Sequence, residues 1–160
     1  MDSRNKILNT LVEIGRVYAE GIEPFLHSGE LEYVLLDSNQ GFDVIKEKLT
    51  DIYVSESEFQ RLLVSITNEE AYWLLFAIFR HSLTHHQHKH MSVDTADDLV
   101  RKLMGDLGPD CHFYSGRKPE INWLEAAIPL MGSHSTEDFA AFIFAETPQY
   151  KLFLQVTDFD

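Results

Sequence analysis

Apolar residues recur every three or four positions along the first part of the chain, the spacing that places them on one face of an α-helix. The first such set ends before Gly21, with Pro24 beyond it, and consists of Ile7, Leu8, Leu11, Val12, Ile14 and Tyr18. A glycine with a proline just beyond it is typical of a helix end. The pattern therefore predicts an N-terminal helix that stops at Gly21.

The stretch that follows is less regular. Residues 29–36 contain the run Leu-Glu-Tyr-Val-Leu-Leu, which fits either a short helix or a strand. Residues 37–41 have the composition of a turn. Phe42, Ile45 and Leu49 then share one face and predict a brief helix.

Two capping boxes mark the next helix starts. In this motif a serine or threonine hydroxyl accepts a hydrogen bond from the amide three residues on, and a glutamate there bonds back. Ser55 with Glu58 predicts a helix that continues through Leu62, Leu63 and Ile66. Thr67 with Glu70 predicts an apolar helix, and the aromatic residues at core spacing on it are Trp73, Phe76 and Phe79.

The last third of the chain changes from helical to strand-like patterns. Asp94 or Thr95 can cap a helix that ends at Gly108 and Pro109. Residues 111–114 read as a short strand, and residues 139–145 and 150–156 read as a hairpin joined by residues 146–149. The chain is thus predicted to be a single α+β domain, residues 1–160, whose helical N-terminal two thirds pack on a small C-terminal antiparallel β-sheet.

Length and composition set the class of protein. At 160 residues, with 44% hydrophobic residues, the chain can bury one core without disulfides. A single cysteine, Cys111, excludes an internal disulfide, and no signal peptide or membrane-spanning run is evident. We therefore expect a soluble cytoplasmic protein that does not act at a membrane.

The charge narrows the choice of partner. The formal net charge is −13, and acids outnumber bases in both halves of the chain. Such a surface repels nucleic acid and attracts basic proteins, although it also serves plain solubility. We expect no nucleic-acid partner and favour a basic protein partner.

Five of the eight histidines lie within ten residues, at positions 81, 85, 86, 88 and 90. On a continuing helix, His81, His85 and His88 would share one face and could bind zinc, with His90 or an acid completing the set. No His-Glu-x-x-His motif accompanies them. The run is equally explained as the polar end of the apolar helix, and five adjacent imidazoles also suggest sensitivity to mild acid.

Other reactive residues fit structural roles. Cys111 and His112 are neighbours on a predicted strand, so their side chains point to opposite faces and the thiol is expected to be structural. Ser133, His134 and Ser135 lack the context of a nucleophile elbow and read as a turn. No glycine-rich phosphate loop is present, and we expect no cofactor and no enzymatic activity.

The C-terminal region supplies a candidate recognition surface. Trp123 lies in a loop-like stretch and is either a lid over the core or an anchor for a partner. Acids around the hairpin are either an ordinary solvated rim or a surface for a basic protein, and the candidates are Glu120, Glu125, Glu137, Asp138, Asp158 and Asp160.

The C-terminal half also resembles a known group of proteins. A helix at residues 94–108 closes with Leu-Gly, residues 109–116 form an aromatic strand with Ser-Gly, and Trp123 and a Thr-x-Asp-Phe segment precede the hairpin, which ends in Asp-Phe-Asp. Over residues 92–160 this order of elements and residues resembles that of small acidic bacterial immunity proteins encoded beside polymorphic or contact-dependent toxins. The resemblance assigns no functional residue.

The resemblance implies a stoichiometric inhibitor that docks on a basic toxin and occludes its active site. Electrostatic steering would supply the association rate and a few buried anchors the slow dissociation. The alternative from another class is a metal-dependent, zinc-type enzyme that uses His81, His85, His88 and His90.

Overall fold

The computed structural model describes residues 2–21, 30–49, 55–80, 89–116 and 139–158. In these ranges the helices are α1 (Ser3–Glu20), α2 (Phe42–Lys48), α3 (Glu56–Leu62), α4 (Asn68–Arg80) and α5 (Val93–Leu107). The strands are β1 (Glu30–Asp37), β2 (Val64–Ile66), β3 (His112–Ser115), β4 (Phe139–Glu146) and β5 (Tyr150–Asp158).

The strands form one antiparallel sheet in the order β1-β5-β4-β3-β2. The predicted α+β class and the predicted hairpin, β4 with β5, are confirmed. Residues 29–36, which fitted a helix or a strand, supply β1, and β1 pairs with β5 along eight positions. Two of the five described strands therefore come from the N-terminal half of the chain, and both lie at the edges of the sheet.

One face of the sheet is covered by the longer helices. Helix α1 packs on β1, α4 packs on β3 and β4, and α5 packs on both α1 and α4. The buried side chains between them are mostly aliphatic, with Leu152, Leu154 and Val156 contributed by alternate positions of β5. Alternation along a strand sends every second side chain to the same face. We call this the long-helix face.

The opposite face of the sheet carries α2 and α3. Its core contains five phenylalanines, Phe42, Phe59, Phe142, Phe144 and Phe153, together with aliphatic residues of β1 and α2. The Phe59 ring lies at the centre of this cluster, within 6 Å of four other phenylalanine rings. We call this the short-helix face.

The helix starts follow local hydrogen bonding. At α4, Glu70 donates its amide to the Thr67 hydroxyl at 3.1 Å, and its carboxylate accepts the Thr67 amide at 3.0 Å, so the predicted capping box is confirmed. At α3 the Ser55 hydroxyl accepts the Glu58 amide at 3.2 Å, but no return bond from the glutamate is formed among the described residues. The Thr67–Glu70 box therefore has both of its hydrogen bonds, and the Ser55–Glu58 box has one of the two.

Two predicted helix boundaries are wrong. The helix that begins at Ser55 ends at Leu62, and Ile66 lies in β2, because Val64 and Ile66 pair with β3 and thereby bury the Ile66 side chain. Helix α5 is capped by Ser92 rather than by Asp94 or Thr95. The Ser92 hydroxyl accepts the Thr95 amide at 3.2 Å, which places Asp94 inside the first turn. Helix α5 ends at Gly108, as predicted, and that residue adopts a positive φ of 88°.

Some backbone groups on the outer edge of β1 form hydrogen bonds with side chains of the same chain. The Gln40 side chain accepts the Asp37 amide at 2.9 Å, and the Arg4 guanidinium donates to the Leu35 carbonyl at 3.5 Å. At the other edge, β2 spans only three residues. Short or blocked edge strands are a common protection against pairing with another chain.

Candidate functional site

The predicted partner-binding residues fall almost entirely outside the described ranges. This holds for Trp123, Glu120, Glu125, Glu137, Asp138 and Asp160. Asp158 is described only in its backbone, which ends β5 opposite Phe139. The role proposed for this set stays a prediction.

Most of the histidine run also lies outside the described ranges. His81, His85 and His88, the three that would share a helix face, belong to residues 81–88. Helix α4 is described as far as Arg80, so the predicted geometry of these three residues is not tested. His90 is the histidine of this run whose side chain the structure describes.

His90 is buried rather than exposed at a polar helix end. Its ring stacks on Tyr18 with centroids 3.7 Å apart and planes 11° apart. Its Nδ1 lies 3.0 Å from the Tyr18 carbonyl, and since a carbonyl can only accept, Nδ1 donates this bond. His90 thus satisfies a carbonyl in the last turn of α1, a position that favours a histidine.

Gly21, which has no side chain, allows the backbone of His90 to approach the end of α1. A Cβ placed on Gly21 would lie 2.0 Å from the His90 carbonyl oxygen, far inside van der Waals contact. The His90 amide in turn donates to the Arg80 carbonyl at 2.8 Å. His90 therefore joins the C-terminal ends of α1 and α4, and a metal bound at this ring would have to use Nε2. Within the described ranges, no three histidine, cysteine or acidic side chains are grouped to hold a metal ion.

Cys111 has the environment of a structural thiol. The side chain is buried, and burial raises its pKa to about 12. Strand β3 begins one residue later than predicted, at His112, and the His112 side chain is exposed. A thiol with this pKa is protonated at neutral pH and is therefore a poor nucleophile or metal ligand.

A partly exposed group of aromatic and charged side chains lies across α4 and α5. Tyr72 and Trp73 extend from α4, and Asp97 and Arg101 extend from α5. The Tyr72 hydroxyl donates to the Asp97 carboxylate, which also accepts from Arg101 Nε at 2.8 Å. The Arg101 guanidinium lies 5.1 Å from the centre of the Tyr72 ring. We call these four residues, with the exposed acids Glu69, Asp94 and Asp98 on the same helices, the α4–α5 surface.

The contacts of this surface shift the pKa values of Tyr72 and Asp97 further from neutrality. Burial, together with the hydrogen bond to Asp97, raises the pKa of Tyr72 from 10.0 to about 12. The hydrogen bond from Tyr72 is the main reason that the pKa of Asp97 is lowered. At neutral pH the tyrosine is therefore a neutral donor and the aspartate is an anion.

Trp73 meets the prediction only in part. Phe76 and Phe79 are buried in the core, as predicted, whereas Trp73 packs against that core with its side chain partly exposed. Its ring meets Tyr72 edge to face at 4.7 Å and Phe76 at 5.7 Å. An acidic residue four positions earlier is not a usable signal, because Leu74 follows Glu70 by the same interval and is fully buried.

A small recess opens on the short-helix face, between α2, α3 and the sheet. Its volume is about 100 Å³. Its floor is formed by Phe42, Phe59 and Phe144, and its walls include Glu56, Glu146 and Lys151. The Lys151 ammonium donates to the Gln40 carbonyl at 3.0 Å. We call this the α2–α3 recess; it depends on contacts across the sheet and has no motif in the sequence.

Comparison with known proteins finds no counterpart: no protein-family model, no curated protein and no solved structure matches the chain. None of the described helices combines the length and the apolar character needed to cross a membrane.

Proposed function

We propose that this chain is a protein-binding inhibitor that neutralises a basic toxin by occluding its active site, in the manner of bacterial immunity proteins. The observation that supports the proposal is the α4–α5 surface. It combines two partly exposed aromatic rings and an arginine with carboxylates on the same two helices.

The residue types on this surface are those that dominate binding energy in protein interfaces. Tryptophan, tyrosine and arginine are enriched among hot spots because they bury a large area with few rotatable bonds. The Tyr72 ring is already held by Asp97, Arg101 and Trp73. A side chain that is ordered before binding loses less entropy when a partner covers it.

The carboxylates on the same surface favour a basic partner. Glu69, Asp94 and Asp98 are exposed and form no ion pair with any described residue. With a net charge of −13, the chain would attract a cationic protein from a distance and orient it as it approaches. An inhibitor of this kind would act in the cytoplasm of the cell that makes it.

The proposal is tested by purifying the chain with its partner from the cells that encode it, and then reconstituting the pair. We expect a basic protein, inhibited at a 1:1 ratio, whose affinity falls as the salt concentration rises. Trp73→Ala should weaken binding by about 2 kcal/mol or more, the loss typical of a hot spot. Binding is measured by calorimetry and inhibition by the partner's own activity.

Val12→Ala is the matched control, because Val12 is a 58% exposed apolar residue on α1. It should leave the affinity unchanged. The proposal fails if the captured protein is not basic, or if its activity is unaffected at saturating inhibitor.

A further inference from the structure

The geometry points to a second binding site, on the opposite side of the sheet from the α4–α5 surface. We propose that the α2–α3 recess binds an organic cation through a guanidinium or primary ammonium group on a short apolar chain. This goes beyond the proposed function, because the recess faces away from the surface that supports it.

The floor of the recess is aromatic. The Phe59 ring stacks on Phe42 at 4.7 Å and meets Phe144 edge to face at 5.7 Å. The three rings are only 2–6% exposed, so they offer a ligand apolar carbon rather than open ring faces. The methylene groups of an alkylguanidinium or an alkylammonium ion suit such a floor.

Two carboxylates stand in the walls. Glu146 ends β4 and is partly buried, and Glu56 begins α3 and is exposed. They approach the recess from different elements of the fold, since one comes from the sheet and the other from a helix. A cation between them would form charge-assisted hydrogen bonds, which are stronger than neutral ones.

Lys151 offsets only one of these two negative charges and is not paired with either carboxylate. It stands directly opposite Glu146 in the β4–β5 register, but its ammonium is turned to the Gln40 carbonyl at 3.0 Å. No ion pair joins Lys151 to a carboxylate in the described part of the chain. The recess therefore keeps a net charge of −1 from its two glutamates and one lysine.

The volume limits the ligand. A recess of about 100 Å³ is smaller than the cavity of about 150 Å³ that is known to hold one benzene molecule. That space suits a cationic head with one or two methylene groups and is too small for a nucleotide or a cofactor. The cation can belong to a free amine or to an arginine side chain of a peptide.

The test titrates the intact protein with three probes and follows its backbone amide resonances. The probes are N-acetyl-arginine methylamide, its uncharged isostere N-acetyl-citrulline methylamide, and agmatine. We expect the arginine compound, agmatine or both to shift the resonances of Phe42, Phe59 and Phe144, and the citrulline compound to leave them in place. A response to agmatine alone identifies a free amine as the ligand, and a response to the arginine compound identifies a peptide side chain.

Matched variants test whether the Glu146 and Glu56 carboxylates bind the cation. Glu146→Gln and Glu56→Gln should each weaken binding of the arginine compound or agmatine by about tenfold, the effect of losing one charge-assisted hydrogen bond. Glu58→Gln is the control, because Glu58 is an exposed acid of α3 outside the recess. Thermal unfolding of each variant verifies that the fold is intact.

Either of two results would overturn the proposal: no shift with either cation, or equal shifts with the citrulline compound. The toxin-inhibitor proposal is unaffected by either of them, because Glu146→Gln should bind the basic partner as tightly as the unmodified chain. Loss of partner binding in Trp73→Ala, conversely, leaves the recess intact.

Discussion

The two faces of the sheet are built from the same strands but are filled in different ways. Strand β4 sends the small or branched residues Ala141, Ile143 and Ala145 to the long-helix face and Phe142 and Phe144 to the short-helix face. On the long-helix face these small and branched side chains pack among aliphatic residues, whereas on the short-helix face the phenylalanines pack against one another around Phe59. The comparison shows how alternation along one strand can close one face and leave a recess in the other.

The largest effect on stability is expected from a substitution at the centre of the short-helix face. Phe59→Ala removes the ring that contacts four other phenylalanines, and the cavity should lower the free energy of unfolding by about 3–5 kcal/mol. Urea denaturation measures the change, with the exposed Val12→Ala as control. A loss below about 1 kcal/mol would mean that this face already relaxes around its recess.

A smaller loss of stability is expected at His90, which joins the C-terminal ends of α1 and α4 on the long-helix face. His90→Ala removes the stack on Tyr18 and the hydrogen bond to its carbonyl, and should cost about 2–3 kcal/mol. His112→Ala is the matched control, because that histidine is exposed and should change stability by less than about 0.5 kcal/mol. Equal losses in the two variants would contradict the role assigned to His90.

The two helix caps allow a direct comparison of the faces. Glu70→Ala removes both the return bond of the box at α4 and a buried side chain, and should cost about 1–2 kcal/mol. Glu58→Ala at α3, where no return bond is described, should cost only a few tenths of a kcal/mol. Denaturation of both variants under one condition provides the test, and the opposite order would refute the assignment of the caps.

The smallest effect is expected from alkaline pH at the α4–α5 surface. The pKa of Tyr72 is raised to about 12, so the folded state holds this proton more tightly than the unfolded state. The associated stability is therefore complete below pH 10.0, the ordinary tyrosine pKa, and is lost as the pH rises toward about 12. Tyr72→Phe should show a smaller decline over this range, measured by urea denaturation at several pH values. An identical decline in both proteins would assign the effect to other groups.

The sequence predicted those elements whose pattern is local. Helix α1 and the β4–β5 hairpin each carry their own periodicity and their own end signals, and both are confirmed. Strand β2 could not be predicted, because Ile66 also continues a helical spacing from Leu62 and Leu63. Only its pairing with Phe113, across a long stretch of chain, decides the structure at that position.

The candidate sites likewise could not be predicted where they depend on contacts between distant parts of the chain. The spacing of Trp73 to Phe76 and Phe79 predicts burial, and the acidic residue one turn earlier does not reveal its partial exposure, because Leu74 follows Glu70 by the same interval and is buried. The α2–α3 recess depends on the register that brings Glu146 and Lys151 opposite each other beside α3. Register is a property of paired strands, so no local spacing in one strand reveals it.

The side chains at the edge of β1 have a consequence for concentrated solutions. A further strand could extend the sheet at this edge only by displacing Gln40 from the Asp37 amide and Arg4 from the Leu35 carbonyl. Fibrous growth begins when unoccupied backbone groups of one molecule meet those of the next. With these groups occupied, and with the acidic Glu30 and Asp37 at the two ends of the strand, ordered aggregation through β1 is held back by both hydrogen bonding and charge.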